Sequence, residues 1–292
     1  MKKHSKISIL FNKIDVAVGR KIYGTTSGFV GNFSGRNNVL LKVDKTIEKN
    51  HPELYSMVKN GFTSFPMQYD QSLIKSIQEK FNNLIEDDST SFANSGYKDK
   101  DFGRIIQDPN KKFPELSKLI TKDVIEFLTK YYTSHFTISY IYCGRNYHVP
   151  IEIREKFETF SNFWHNDKQP PSEIKYFVYI SDVTEKDGPF HVHTKDKSAE
   201  LLNMGFGDRF DYKLSEDILE NPEYLTKMTG PAGTSFFGNA SLCLHRAGDP
   251  DEGHSRNLIQ FIINASDKPI EENWIEKCDG TPSDIVPRKY TP

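Results

Sequence analysis

From Phe136 to Asn264 the chain breaks into short runs rich in aromatic and β-branched residues, each bounded by turn residues. The runs are Phe136–Cys143, Lys156–Trp164, Ile174–Ser181, Phe190–His193, Thr234–Phe237, Ser241–His245 and Leu258–Asn264. Segments this short and this dense read as strands that close on themselves, as a sandwich or distorted barrel. Upstream the period changes. Leu73, Ile77, Phe81 and Leu84 mark a helix over Asp70–Glu86, with Asp70 as its N-cap. Leu116, Leu119, Ile120, Val124 and Leu128 mark a second helical stretch over Phe113–Tyr132, with Pro114 near its start. Gly61–Gln68 reads as a short strand and turn. The expected fold is mainly β with flanking α-helices, a helical buttress over 59–135 and a barrel over 136–266.

The remaining segments are less patterned. Ile7, Leu10, Phe11, Ile14 and Val18 form a helical stripe among Lys6, Lys13, Arg20 and Lys21. It predicts a helix docked on the body, within an extension over 1–58. The alternative is membrane-surface contact through residues 6–21. Tyr23–Arg36 reads as loop. Its glycines lack the strand–glycine–helix order and the Gly-Lys-Ser/Thr of a phosphate cradle. Residues 194–227 carry little strand character and read as a lid or as a solvated insertion. Residues 267–292 read as a polar tail.

Charge excludes one large class. Lys plus Arg is 38 and Asp plus Glu is 40, a net charge of −2. A general nucleic-acid binder needs a cationic surface, so none is expected here. Three cysteines without a Cys-x-x-Cys pair make neither a disulfide framework nor a thiolate zinc site. Apolar runs fall short of the roughly 20 residues that span a membrane, and Asn12, Lys13 and Asp15 interrupt the start too soon for a signal peptide. The expected location is the cytoplasm.

The chemistry concentrates in His165-Asn166-Asp167, the one His-x-Asp in the chain. On a strand these two side chains share a face. His245 follows on a later strand, and Arg256 opens the last one. Two histidines and a carboxylate on one face of a metal form the facial triad of non-haem Fe(II) oxygenases. An arginine nearby supplies the planar fork that a carboxylate fits.

These residues resemble the phytanoyl-CoA dioxygenase-like family of Fe(II)/2-oxoglutarate oxygenases. The resemblance runs from about Lys59 to Asn264. Lys59–Pro66 with the Asp70 helix looks like the family's entry segment, Trp164–Asp167 like its proximal metal motif, and Asp187–Phe190 like its glycine turn. Gly233–His245 and Arg256 look like its distal half. The resemblance implies a double-stranded β-helix, a jelly-roll related to the cupin barrel. It implies that His165, Asp167 and His245 bind Fe(II) and that Arg256 pairs with the far carboxylate of 2-oxoglutarate. It implies that O2 is consumed and succinate and CO2 are released as a small or carrier-linked metabolite is hydroxylated. Halogenases of this kind replace the carboxylate with a small residue, whereas Asp167 is present. Thr194–Lys197 stands where the family often has Pro-Gly-Ser-His, so substrate choice does not carry over.

Other candidates follow from alternation. Lys175, Phe177 and Tyr179 share one face of their strand. If that face is inward, Lys175 is a buried cation that needs an anion, either co-substrate or substrate, and Phe177 and Tyr179 border the substrate. His191 and His193 also share a face. They border the substrate, are ordinary strand residues, or form a rival cupin-type metal pair, although no Glu stands four or five residues beyond. Cys243 reads as a core thiol. No Gly-x-Ser-x-Gly elbow supports a serine hydrolase. A non-catalytic jelly-roll binder is the reading from outside enzymology.

Overall fold

The computed structural model describes residues 45–66, 69–97, 100–155, 157–167, 169–206, 216–281 and 288–290. The stripe over Ile7–Val18, the alternative of membrane contact there and the loop after it lie outside these residues. The chain opens with α1 (Lys45–Asn50), α2 (Pro52–Asn60), β1 (Phe62–Phe65) and α3 (Gln71–Glu86). A hairpin of β2 (Ser91–Tyr97) and β3 (Lys100–Ile106) leads to α4 (Pro109–Lys112), α5 (Lys122–Tyr132), the long β4 (His135–Tyr147) and α6 (Ile151–Arg154). Then come β5 (Ile174–Tyr179), β6 (Phe190–His193), α7 (Lys195–Asn203), α8 (Glu216–Leu219), β7 (Leu225–Met228), β8 (Ser235–Gly238), β9 (His245–Ala247) and β10 (Ser255–Ser266). The last elements are α9 (Trp274–Lys277), β11 (Asp279–Gly280) and β12 (Arg288–Tyr290).

Two sheets result. The larger has the order β1-β8-β5-β10-β4-β3-β2-β12, and the smaller β7-β6-β9. The large sheet turns one face to the helices. Ile259, Phe261 and Ile263 of β10 are buried there with Ile138, Ile141 and Cys143 of β4. The register of β4 against β10 slips between Ile262 and Ile263, where Ser139 is the extra residue. That bulge is what keeps Ile138 and Ile141 on the same face despite their odd spacing. Against them α3 sets Ile74, Ile77, Phe81 and Ile85, spaced as one helical stripe. The Asp70 side chain caps this helix by accepting from Ser72 N at 2.6 Å. Full burial of a side chain such as Phe81 contributes roughly 1.5–3 kcal/mol.

The other face of the large sheet looks at the small one. Phe177 and Tyr179 of β5 and Phe236 of β8 pack there against Phe190 and Val192 of β6 and Met228 of β7. This is the interior of the jelly-roll, and it is aromatic: the Phe177 and Phe236 rings stack at 4.7 Å.

Several local expectations are corrected. Phe113–Tyr132 is two helices, a 3-10 turn over Pro114–Leu119 and then α5. Thr121 accepts from Val124 N at 3.4 Å and starts the second helix, so a cap inside the apolar stripe outranks the period. Of the run expected over Lys156–Trp164, the described residues 157–164 form no strand. Ser161 takes a positive φ of 63°, and the Asn162 side chain accepts from Thr159 N at 2.9 Å, closing a turn. Ser241–Leu244 is also turn, because Asn239 Oδ1 accepts from Leu242 N at 3.1 Å, and the strand begins only at His245. The segment after His193 contains α7, capped by Thr194, which accepts from Lys197 N at 3.2 Å. Among the described residues no helix is long and apolar enough to cross a membrane.

Candidate metal centre

His165 and His245 face each other across an isolated antiparallel bridge, each N–H donating to the other's carbonyl at 3.0 Å. Directly opposed residues project to the same face, so the two imidazoles stand side by side with centroids 4.3 Å apart. Each ring is fixed from behind: His165 Nδ1 donates to Phe163 O at 2.7 Å and His245 Nδ1 to Cys243 O at 3.0 Å. A proton held on Nδ1 leaves the Nε2 lone pair for a metal. Asp167 lies two residues beyond His165 and is anchored by its own N–H to Ala240 O at 2.9 Å. Its Oδ1 is 3.5 Å from His165 Nε2 and 3.9 Å from His245 Nε2. Among the described residues, these three make the one cluster of His, Cys, Asp or Glu whose ligand atoms lie within 4.8 Å of one another.

The electrostatics favour a carboxylate. Burial opposes charge on Asp167, but Lys175 beside it holds its carboxyl well below the usual range. Lys175 Nζ pairs with Asp167 Oδ2. The anion that Lys175 needs is therefore Asp167 in this structure, and the pairing leaves Oδ1 on the side of the histidines. Glu173 lies nearby; burial, with Asp167 as a like charge, pushes it up to about 7 against the pull of Lys175.

Arg256 sits on β10, only 2% exposed. Its Nη1 donates to Gly188 O, and its Nε is buried without a hydrogen-bond partner. Tyr179 and Tyr142 flank it. The carbonyl that holds it comes from a turn only glycine fits: Gly188 has φ 65°, and a Cβ there would come within 2.5 Å of Gly248 O. A buried guanidinium with an unused donor suits an incoming carboxylate.

Phe177 and Tyr179 face the interior as expected. Tyr179 is committed to structure: its OH donates to Met228 O at 2.9 Å and accepts from Phe190 N at 3.0 Å. Phe190 in turn reaches the His245 ring at 5.4 Å. His191 and His193 do not join the triad. They project from the opposite face of β6, where His193 stacks on Trp164 at 4.7 Å and His191 Nδ1 accepts from Arg246 Nε at 3.3 Å. Of the alternatives for this pair, the rival metal centre has no third ligand among the described residues, and β6 turns Phe190 and Val192 inward instead. Cys243 is buried among the interior residues, and burial pushes its thiol up.

Sequence reasoning passed over Tyr142, which shares the inward face through its register with Gln260. Gly144, two residues on, has the Tyr142 hydroxyl 2.3 Å from where a Cβ would stand. A glycine two residues from a tyrosine on an inward face is a signal that could have marked it. Glu220 was visible only as one of several acids in an unpatterned segment.

No protein-family model and no curated protein sequence matches this chain. Solved structures do. The α-ketoglutarate-dependent epimerase SnoN from nogalamycin biosynthesis is similar over 76% of this chain and 84% of its own, at TM-score 0.56 and 12% identity. EctD from S. alaskensis, solved with 2-oxoglutarate and 5-hydroxyectoine, is similar over 87% of this chain and 92% of its own, at TM-score 0.55 and 14% identity. The carbocyclase SnoK, also from nogalamycin biosynthesis, is similar over 77% and 85%, at TM-score 0.50 and 10% identity. At these identities the likeness is one of fold: the chain is a double-stranded β-helix buttressed by helices, the architecture that the resemblance implies.

Proposed function

We propose that this protein is an Fe(II)- and 2-oxoglutarate-dependent oxygenase that hydroxylates a small or carrier-linked organic molecule. The observation that carries the reading is the convergence of His165 Nε2, His245 Nε2 and Asp167 Oδ1, with both Nδ1 atoms committed to backbone carbonyls. Two neutral imidazoles and one carboxylate on one face are the donor set for Fe(II) with positions left open. The fold neighbours support it, since they were solved as α-ketoglutarate-dependent enzymes or with 2-oxoglutarate bound, and EctD also with Fe.

Bound Fe(II) would supply oxidation of the substrate by O2 coupled to loss of CO2 from 2-oxoglutarate. The chain's residues do the rest. His165, His245 and Asp167 would hold the metal. Lys175 keeps Asp167 ionised and ties up Oδ2. Arg256, fixed by Gly188, would receive the far carboxylate of the co-substrate on its remaining donors. Phe177, Phe190 and Phe236 keep water from the interior. Asp167 fills the position that a halide needs, which favours hydroxylation over halogenation. Two of the fold neighbours, by their names an epimerase and a carbocyclase, use a related scaffold for other outcomes.

The test is substrate-independent turnover. Purified protein with Fe(II), ascorbate and carboxyl-labelled 2-oxoglutarate should release CO2 slowly in air, and His245→Ala should abolish the release. Release that survives in that variant contradicts the proposal.

A further inference from the structure

On the outer face of the metal-binding strand pair Arg246 pairs with two carboxylates, Asp249 at 3.5 Å and Glu220, and only Glu220 also reaches Trp164. Trp164 precedes His165 and Arg246 follows His245, so both project to the face opposite the imidazoles. Glu220, at the end of α8, meets both: Oε1 accepts from Trp164 Nε1 at 3.1 Å and pairs with Arg246 Nη2 at 3.1 Å. The Arg246 guanidinium also lies 5.7 Å from the Trp164 ring. Trp164 is buried with Leu201 and Leu202 of α7, Leu219 of α8 and Leu244. Leu201 and Leu202 of α7 and Leu219 of α8 thus pack on the back of the two metal-bearing segments. Lys195 Nζ anchors α7 by donating to Val58 O at 2.6 Å.

We propose that Glu220 is a positioning residue for the metal centre: it clamps Trp164 to Arg246 and so sets the separation of His165 and His245 across a bridge of only one residue pair. The inference rests on the metal reading above. Beyond this pair the two segments share the backbone bonds Ala247 N to Ser161 O and Asp167 N to Ala240 O, each 2.9 Å and outside any regular ladder, and the clamp adds a side-chain tie between them. Partners hydrogen-bonded directly to metal ligands change metal affinity by about 10–100-fold when removed; Glu220 acts one residue further out, so the lower end of that range is expected.

The test uses Co(II) alone as the probe, with affinity from competition against a chromophoric chelator and geometry from the visible d–d spectrum. Glu220→Ala should keep cooperative unfolding, bind Co(II) about tenfold more weakly and shift the spectrum. Glu220→Gln keeps the acceptor for Trp164 and should recover most of the affinity. If Glu220→Ala does not fold, Trp164→Phe removes the same indole bond and should weaken Co(II) binding in the same direction. Folded variants that bind Co(II) within twofold of the unaltered protein, with the same spectrum, overturn the inference alone, provided His165→Ala abolishes binding. If the unaltered protein binds no Co(II), or His165→Ala binds it equally well, the metal reading itself falls and this inference with it.

Discussion

His165 and His245 are backbone partners as well as neighbours in the site, each donating its N–H to the other's carbonyl at 3.0 Å. Two residues far apart in sequence are thereby set directly opposite one another, with ring centroids 4.3 Å apart. Asp167 Oδ1, 3.5 and 3.9 Å from the two Nε2 atoms, completes the face.

Replacing Lys175 by Met should destabilise the metal-free protein more than the metal-loaded one. Lys175 is the cation against Asp167, and both side chains are more than four-fifths buried. An uncompensated carboxylate there costs on the order of 2–4 kcal/mol, the lower end reflecting residual solvent contact. A divalent cation takes over the compensation. Thermal unfolding with and without Fe(II) under nitrogen measures this, and equal losses in both states would contradict the pairing.

Arg256→Gln should weaken 2-oxoglutarate binding while leaving metal affinity alone. A charge-assisted bond to a buried carboxylate contributes about 1.5–3 kcal/mol, which is about 10–100-fold in Kd. Calorimetric titration of 2-oxoglutarate into Co(II)-loaded protein reads the effect. A change below threefold would mean that Arg256 serves only the Gly188 turn.

Gly188→Ala should lower stability by about 2 kcal/mol or more. The site demands φ 65°, and the added Cβ would sit 2.5 Å from Gly248 O, a backbone atom with no easy retreat. The left-handed conformation alone costs roughly 1–2 kcal/mol. Urea denaturation gives the shift in midpoint, and an unchanged midpoint would show that the turn relaxes freely.

The metal-free protein should lose stability between pH 4.5 and pH 7 through Glu173. Its carboxyl rises from 4.5 to about 7 on folding, chiefly by burial. The folded state therefore holds a proton that the unfolded state has released. That contribution is fully present below the unfolded value and is lost as pH rises through the folded one. Glu173→Gln should flatten the slope across this window, by about 1–3 kcal/mol in total. An unaltered slope in urea midpoints against pH would contradict the burial.

What was legible in the sequence is what depends on local spacing. His-x-Asp puts two ligands on one face whatever surrounds them, and the α3 stripe and its Asp70 cap follow from helical geometry. Phe190–His193 has the same bounds in sequence and structure. Other features depended on tertiary choices. Alternation puts His191 and His193 on one face of β6, but the aromatic interior selects Phe190 and Val192 for the inside. Asn239 and Asn162 turn apolar runs into loops through single side-chain bonds that outweigh β propensity. Glu220 gains its role only when α8 folds back onto Trp164.

The most direct measurement is the visible spectrum of the anaerobic protein on addition of Fe(II) and then 2-oxoglutarate. Bidentate chelation of the keto acid at the proposed centre should produce a weak charge-transfer band that is absent with Fe(II) alone. The band should vanish in His165→Ala and require more 2-oxoglutarate in Arg256→Gln. Folded protein that binds Fe(II) but develops no band, or a band that persists in His165→Ala, would contradict the assignment of His165, Asp167 and His245 as the metal centre of a 2-oxoglutarate enzyme.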